Sequence, residues 1–301
     1  IAAKVPMLLP AHMTAPALGA LDRPVTFSSP ALRGFLRGEL GYQGVVVSDS
    51  LDMGAVANST DVAEGSVLAF LAGCDLLLTG KADYRAVHAH FMGAVRSGRI
   101  SKDLLRESVD RVLRLKAGLP QHPPAAPDPG AGPALAREIA RAALTLVRGG
   151  AALPLRPAGG PLVLVAFRSK SMSGELEALA KSLEERWPGA EAVFLDPKPA
   201  AADAAKARAA AARAGALVVG TYLWGAVPPK EQSARAEELF AMGRPAVQLS
   251  LMNPYDADDY PGAGAVLALY GPTPAMGAAA AAALAGEFQP SGKLPVRLGA
   301  P

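Results

Sequence analysis

Eight short, unbroken apolar runs punctuate the sequence: VPMLLPAH (5–12), GVVVSD (44–49), CDLLLTG (74–80), PLVLVAF (161–167), AEAVFLD (190–196), ALVVGTY (216–222), AVQLSLM (246–252) and AVLALYG (265–271). None alternates polar with apolar, so each is expected to be buried on both faces, as strands of a parallel sheet are. The gaps between them hold helical patterns, such as SSPALRGFLRGELG (28–41), with Ser29 as cap, Pro30 in the first turn and Gly41 at the end. Further helices are expected around 62–73, 84–98 and 101–118 and in the alanine-rich stretches 199–214 and 275–286, alanine being the strongest helix former. The result is a series of β/α units.

Residues 119–133, LPQHPPAAPDPGAGP, hold six prolines and two glycines with little bulky apolar material. Such a stretch cannot bury enough surface to offset its ordering entropy and reads as a linker between 1–118 and 134–301. The second part, with five strand candidates, is expected to be an α/β sandwich with a mostly parallel sheet.

Composition narrows the function classes. The chain of 301 residues is 50% apolar and 5% aromatic, with a formal charge of +3. No basic stretch interleaves with aromatics, so nucleic acid is not an expected partner. No apolar run reaches the roughly 20 residues of a membrane span. The single cysteine, Cys74, lies in AGCDLLLTG and reads as a buried small residue; it excludes an internal disulfide framework. There is no GxGxxG, P-loop, GxSxG elbow or metal-ligand spacing, and no cofactor is expected.

Three runs in the first part end on polar residues: His12, Asp49, and Thr79 with Gly80. In a parallel barrel that end of the sheet carries the active site. From spacing alone Asp49 is either catalytic or a cap for the following turn, and His12 is either functional or a hydrogen-bonded structural residue. His88 and His90, two apart on a helix, read as surface or packing residues.

The stretch PAHMTAPALGALDRPVTFSSPALRGFLRGELGYQGVVVSDSLDMGAV resembles glycoside hydrolase family 3, in particular its β-N-acetylhexosaminidase branch. In that family an AH ends the sixth barrel strand, a P-x-T-x-S segment and a helix follow, and a strand ending in S-D carries the nucleophile. RPVTFSS, FLRGELGYQG and VVVSD stand here in that order, and SDSLDM is similar to the hexosaminidase version of the motif. The glucosidase branch more often has tryptophan after this aspartate, where Ser50 stands here. Downstream, AREIARAALTLVRGG, AALPL, SLMNPYDADDY and GEFQPSGKLPV resemble the family's C-terminal α/β sandwich, so the resemblance covers nearly the whole chain.

The resemblance implies the C-terminal part of a (β/α)8 barrel at 1–118, then the sandwich. It implies a retaining, exo-acting β-N-acetylglucosaminidase with Asp49 as nucleophile, Met53 and His12 lining the sugar pocket, and Asp52 as a cap in the turn. A carboxylate held at a rigid strand tip suits covalent glycosyl-enzyme chemistry. Such chemistry also needs a general acid about 5 Å away. In the hexosaminidase branch this is an Asp-His pair on a K-H-F-P-G-H-G-like loop upstream of the AH strand, and no such motif occurs here. Three strands cannot close a barrel. The chain is therefore expected to be a fragment that needs an N-terminal barrel half and has no turnover alone. The substrate implied is terminal β-linked N-acetylglucosamine, with peptidoglycan-derived sugars and cell-wall recycling in view. Alternatives are a β-glucosidase, a phosphorolytic member of the family, or a non-catalytic carbohydrate-binding scaffold. The compartment is left open, with a cytoplasmic one favoured.

Overall fold

The computed structural model describes residues 1–119, 128–169, 172, 174–225 and 227–299. The chain divides into two compact units, Ile1–Ala125 and Ala126–Pro301. Of the expected linker, residues 120–127 lie outside the described residues. At its far end, Ala131–Pro133 already form the first turn of a helix, α5 (Ala131–Ala143).

In the first unit three parallel strands lie side by side in chain order: β1 (Met7–Leu8), β2 (Val45–Ser50) and β3 (Leu76–Leu78). Between β1 and β2 runs the helix Pro30–Glu39, wound with wide i→i+5 bonds such as Leu40 N–H to Phe35 O. Ser29 makes no side-chain cap. The capping hydroxyl is that of Ser28, which accepts from the Ala31 N–H at 3.3 Å. The reading of Ser29 as cap is thus one residue off, because the capping residue must lie three positions ahead of the free N–H. Gly41, at φ +67°, does end the segment.

After β2 come the one-turn α1 (Gly54–Ala57) and α2 (Val62–Ala72), and after β3 come α3 (Tyr84–Arg96) and α4 (Lys102–Ala117). The N-termini of α2, α3 and α4 are capped by the side chains of Asp61, Asp83 and Ser101. Val46, Leu51, Leu32, Ala69, Ala72 and Cys74 are buried together between β2, the Pro30–Glu39 helix and α2. Burial pushes the Cys74 thiol up to about 12, so it behaves as a small apolar residue. The two outer strands of this sheet leave Met7, Leu9 and Leu78 exposed at 38%, 51% and 44%.

The second unit is a six-stranded sheet: β4 (Thr145–Arg148), β5 (Leu162–Phe167), β6 (Glu191–Leu195), β7 (Ala216–Thr221), β8 (Ala246–Ser250) and β9 (Ala265–Ala268), in the order β4-β9-β8-β7-β5-β6. All neighbours are parallel except β4, which runs antiparallel to β9 on the edge. The sequence reading found five of these strands. β4 escaped it because TLVR is only four residues long and follows directly on α5.

Residues of β5 and β7 alternate between the two faces, as the pleat requires. Leu162, Leu164, Ala166, Ala216 and Val218 pack under α5, α6 (Glu175–Glu184) and α9 (Pro274–Ala285). Val163, Val165, Phe167, Leu217 and Val219 pack under α7 (Ala201–Ala212) and α8 (Lys230–Phe240). Truncating one of these, Leu164 for example, would cost about 2–5 kcal/mol. Alanine in α9 has a packing purpose: the helix lies so close to α6 that a Cβ on Gly277 would sit 3.2 Å from Leu179. Among the described residues no helix is long and apolar enough to cross a membrane.

Candidate active site

Asp49 sits where β2 breaks register. Val47 pairs with Leu76 and Ser50 with Leu78, so three steps along β2 match two along β3. The extra residue makes a bulge at Ser48–Asp49, a device that re-aims a side chain at the end of a strand. Ser48 holds the bulge in place. Its buried Oγ accepts from the Leu78 N–H at 3.0 Å, a place that a strand carbonyl would otherwise fill. Beyond the bulge the Leu51 N–H donates to Leu78 O at 2.8 Å and restores the pairing.

The Asp49 carboxylate is half-buried, and its Oδ1 accepts from the Ser50 N–H at 2.7 Å. Among the described residues it takes part in no ion pair. Asp52, three residues on, is fully committed. Its Oδ1 accepts from the Ser50 hydroxyl at 2.7 Å and its Oδ2 from the Lys81 N–H at 2.9 Å. The Lys81 N–H, and after it the Ser50 hydroxyl, hold the Asp52 carboxyl below the usual carboxylate range. The expected turn role for Asp52 therefore takes a specific form. It does not cap α1, whose N-cap is Met53, but ties the end of β2 to the turn after β3.

His12 lies four residues past β1 and reaches the same strand tip. Its Nε2–H donates to the Ser50 carbonyl at 3.0 Å, and its Nδ1 lies 2.8 Å from the Thr26 hydroxyl. A carbonyl only accepts, so Nε2 carries a proton, while the Thr26 hydroxyl has one hydrogen for two neighbours, His12 Nδ1 and the Ala11 carbonyl at 3.3 Å. Thr26 is fully buried and is the threonine of RPVTFSS. Both ring nitrogens are thus engaged within the protein, and His12 joins two loops around the residue that follows Asp49. Met53 is 44% exposed beside them.

Sequence reasoning missed Ser48, Thr26 and a charged cluster at the opposite, N-terminal end of the strands. There Asp75, 1% exposed at its side chain, takes Arg37 at 2.7 Å and Arg111 at 2.9 Å and accepts from the Val46 N–H at 2.9 Å. Arg37 also donates to the carbonyls of Gly44 and Gly73. In a β/α unit this end governs stability. The signal available was the pair of arginines, Arg33 and Arg37, four apart in a helix that otherwise faces the core.

Residues 1–115 match the family described as glycosyl hydrolase family 3 N terminal domain. The first unit matches glycosyl hydrolase family 3. Among relatives in this family, the beta-hexosaminidase A of Pseudoalteromonas piscicida is 31% identical over 174 residues, which are 50% of this chain and 29% of that protein. The beta-N-acetylglucosaminidase/beta-glucosidase of Cellulomonas fimi is 28% identical over 321 residues, covering 96% of this chain and 56% of that protein. The solved family 3 beta-N-acetylglucosaminidase from Paenibacillus sp. str. FPU-7 superposes with a TM-score of 0.78 at 29% identity, over 99% of this chain and 59% of that one. The chain thus spans between about a third and three fifths of the length of these proteins.

Proposed function

We propose that this chain carries the nucleophile side of a retaining, exo-acting β-N-acetylglucosaminidase. The observation that carries the proposal is the bulge at Ser48–Asp49, which presents a carboxylate without a counter-cation at a strand tip braced from both sides. Asp49 attacks the anomeric carbon of a terminal β-linked N-acetylglucosamine, the bond to the leaving oxygen breaks, and water later releases the sugar from the covalent ester. Its Oδ1 is fixed by the Ser50 N–H, and Ser50 is held in turn through its carbonyl by His12 and through its hydroxyl by Asp52. Met53 forms an apolar wall for the sugar, while His12 works chiefly through the Ser50 carbonyl.

Protonation of the leaving oxygen requires a second group about 5 Å from the nucleophile. The nearest acidic neighbour in sequence, Asp52, is held ionised by two donors and cannot serve. The acid therefore comes from a further barrel segment, which also covers the apolar edges of β1 and β3. The domain division proposed is a barrel portion at 1–118 and a sandwich at 134–301. Peptidoglycan-derived sugars are the natural substrate class on this reading.

A mechanism-based fluorinated N-acetylglucosaminide tests the proposal in the protein that includes the additional barrel segment. A mass increment on the peptide containing Asp49, absent in Asp49→Asn, is expected; labelling elsewhere refutes the assignment. The 301-residue chain alone is expected to give no turnover of a chromogenic N-acetylglucosaminide. The double activity in the name of the Cellulomonas fimi relative keeps a β-glucosidase reading open, and comparing glucoside with N-acetylglucosaminide hydrolysis, with and without phosphate, separates the readings.

A further inference from the structure

The strand order of the second unit reverses at β5. From β5 the chain goes to β6 on one side, then returns across β5 to β7, β8 and β9 on the other. Sheets of this kind bind ligands outside the carboxyl ends of their strands, in the crevice where the order reverses. Trp224, three residues past the carboxyl end of β7, is 73% exposed. Tyr255, in the NPYD turn past β8, is 50% exposed. Two large aromatics left in water on adjacent strand ends call for a reason, since such rings are normally covered.

Both are held on a rigid frame. The Asn253 side-chain amide donates to Trp224 O at 3.2 Å and to Gly225 O at 3.1 Å, and its backbone N–H donates to Leu223 O at 3.3 Å. Beneath, the Gln248 amide donates to Thr221 Oγ1 and to Asp256 O, each at 3.0 Å. Ser250 Oγ lies 3.0 Å from Asn253 O and makes a short contact with Asp256 Oδ1. A hydroxyl has one hydrogen for these two acceptors. Asp256 is fully buried, and burial pushes its carboxyl up. A protonated Asp256 donates to Ser250 Oγ and frees the serine hydrogen for Asn253 O, so the NPYD turn is satisfied when Asp256 is neutral.

We propose that Trp224 and Tyr255, fixed by Asn253, form a carbohydrate-binding platform on the second unit. The face of a pyranose that carries axial C–H groups is apolar and lies flat on an indole or phenol ring, while its equatorial hydroxyls reach polar groups at the rim. Exposed Asp258 and Asp259 follow Tyr255 in the same loop and supply acceptors for those hydroxyls. They also disfavour phosphorylated or nucleic-acid ligands, which need cationic partners. The ligand class, a β-linked oligomer of N-acetylglucosamine, rests on the proposed function; the platform itself does not.

The chain has two tryptophans, and Trp187 is packed against the core, so the fluorescence of Trp224 is a usable reporter. Titration of the 301-residue chain with the β-1,4-linked N-acetylglucosamine trimer is expected to give a saturable change in emission, matched by calorimetry. Trp224→Ala should weaken binding about tenfold or more, which corresponds to about 1.4 kcal/mol. Trp224→Phe and Tyr255→Phe should keep most of it. No saturable binding, or binding indifferent to Trp224→Ala with folding intact by circular dichroism, overturns the platform. Self-association that Trp224→Ala abolishes in sedimentation overturns it in favour of a protein contact. Equal binding of cellotriose overturns the N-acetylated ligand class. Trimer binding that survives where Asp49 labelling fails would refute the proposed nucleophile while supporting the platform.

Discussion

The Asp52 carboxylate fills the space that a side chain at Gly80 would need: a Cβ placed there would lie 2.1 Å from Asp52 Cγ. Gly80 also has φ +60°, a conformation costly for other residues. Gly80→Ala is therefore expected to destabilise the first unit by about 1–3 kcal/mol. Asp52→Ala should also destabilise the unit, through its two lost hydrogen bonds. The double variant should lose less than the sum, because removing the carboxylate relieves the clash. Urea unfolding of the four proteins checks the non-additivity.

The Thr26 hydroxyl lies between His12 Nδ1, at 2.8 Å, and the Ala11 carbonyl, at 3.3 Å. Thr26→Val keeps the shape but leaves His12 Nδ1 without a partner, at a cost of about 1–3 kcal/mol, whereas Thr26→Ser should retain most of the stability. A larger loss in Thr26→Ser than in Thr26→Val would argue that the methyl, not the hydroxyl, matters.

Asp75 carries two buried arginines and a backbone N–H. Asp75→Asn should cost about 3–5 kcal/mol, since it strands both guanidinium groups. Arg106→Ala, which breaks an exposed pair with Asp103, should stay within about 0.5 kcal/mol. Thermal melts of the two variants side by side provide the comparison.

Glu64 accepts from Arg99 and meets His90 at 3.1 Å, and the Arg99 guanidinium draws its carboxyl from 4.5 down to about 2. A depressed acid stabilises the fold above its unfolded value and loses that contribution on protonation. The first unit should thus lose stability as pH falls from about 4.5 towards about 2, and Glu64→Gln should flatten that part of the profile. Chemical denaturation across this pH range measures it.

Asp256 has the opposite sign. Its carboxyl is raised, so the folded unit holds a proton that the unfolded chain gives up, and stability falls as pH rises through that window. Asp256→Asn, which stays neutral, should remove this fall and leave the second unit at least as stable at pH 7. A variant that keeps the fall would show that another group causes it.

Much of this was legible in the residues themselves. Continuous apolar runs such as GVVVSD and PLVLVAF specify strands buried on both faces whatever lies around them, because covering both sides of a strand requires an unbroken apolar stretch. The motifs RPVTFSS and SDSLDM likewise pointed to family 3 before any coordinates. The reading of β4 failed because a four-residue edge strand is defined by its partner β9, not by its own pattern. The cap moved from Ser29 to Ser28 because only backbone geometry decides which hydroxyl faces a free N–H.

By itself, then, the sequence determined the β/α order, the family that the first unit matches, and the position of Asp49 at the end of an apolar strand. Tertiary structure alone decided that β2 bulges at Asp49, that Ser48 bridges to Leu78, that Asp52 excludes any side chain at Gly80, and that His12 spans the Ser50 carbonyl and the Thr26 hydroxyl. The physical reason is range. Burial patterns and helix propensities act over a few neighbouring residues, whereas a register shift or a shared hydrogen bond joins residues 14 to 38 apart along the chain and exists only once they are packed together.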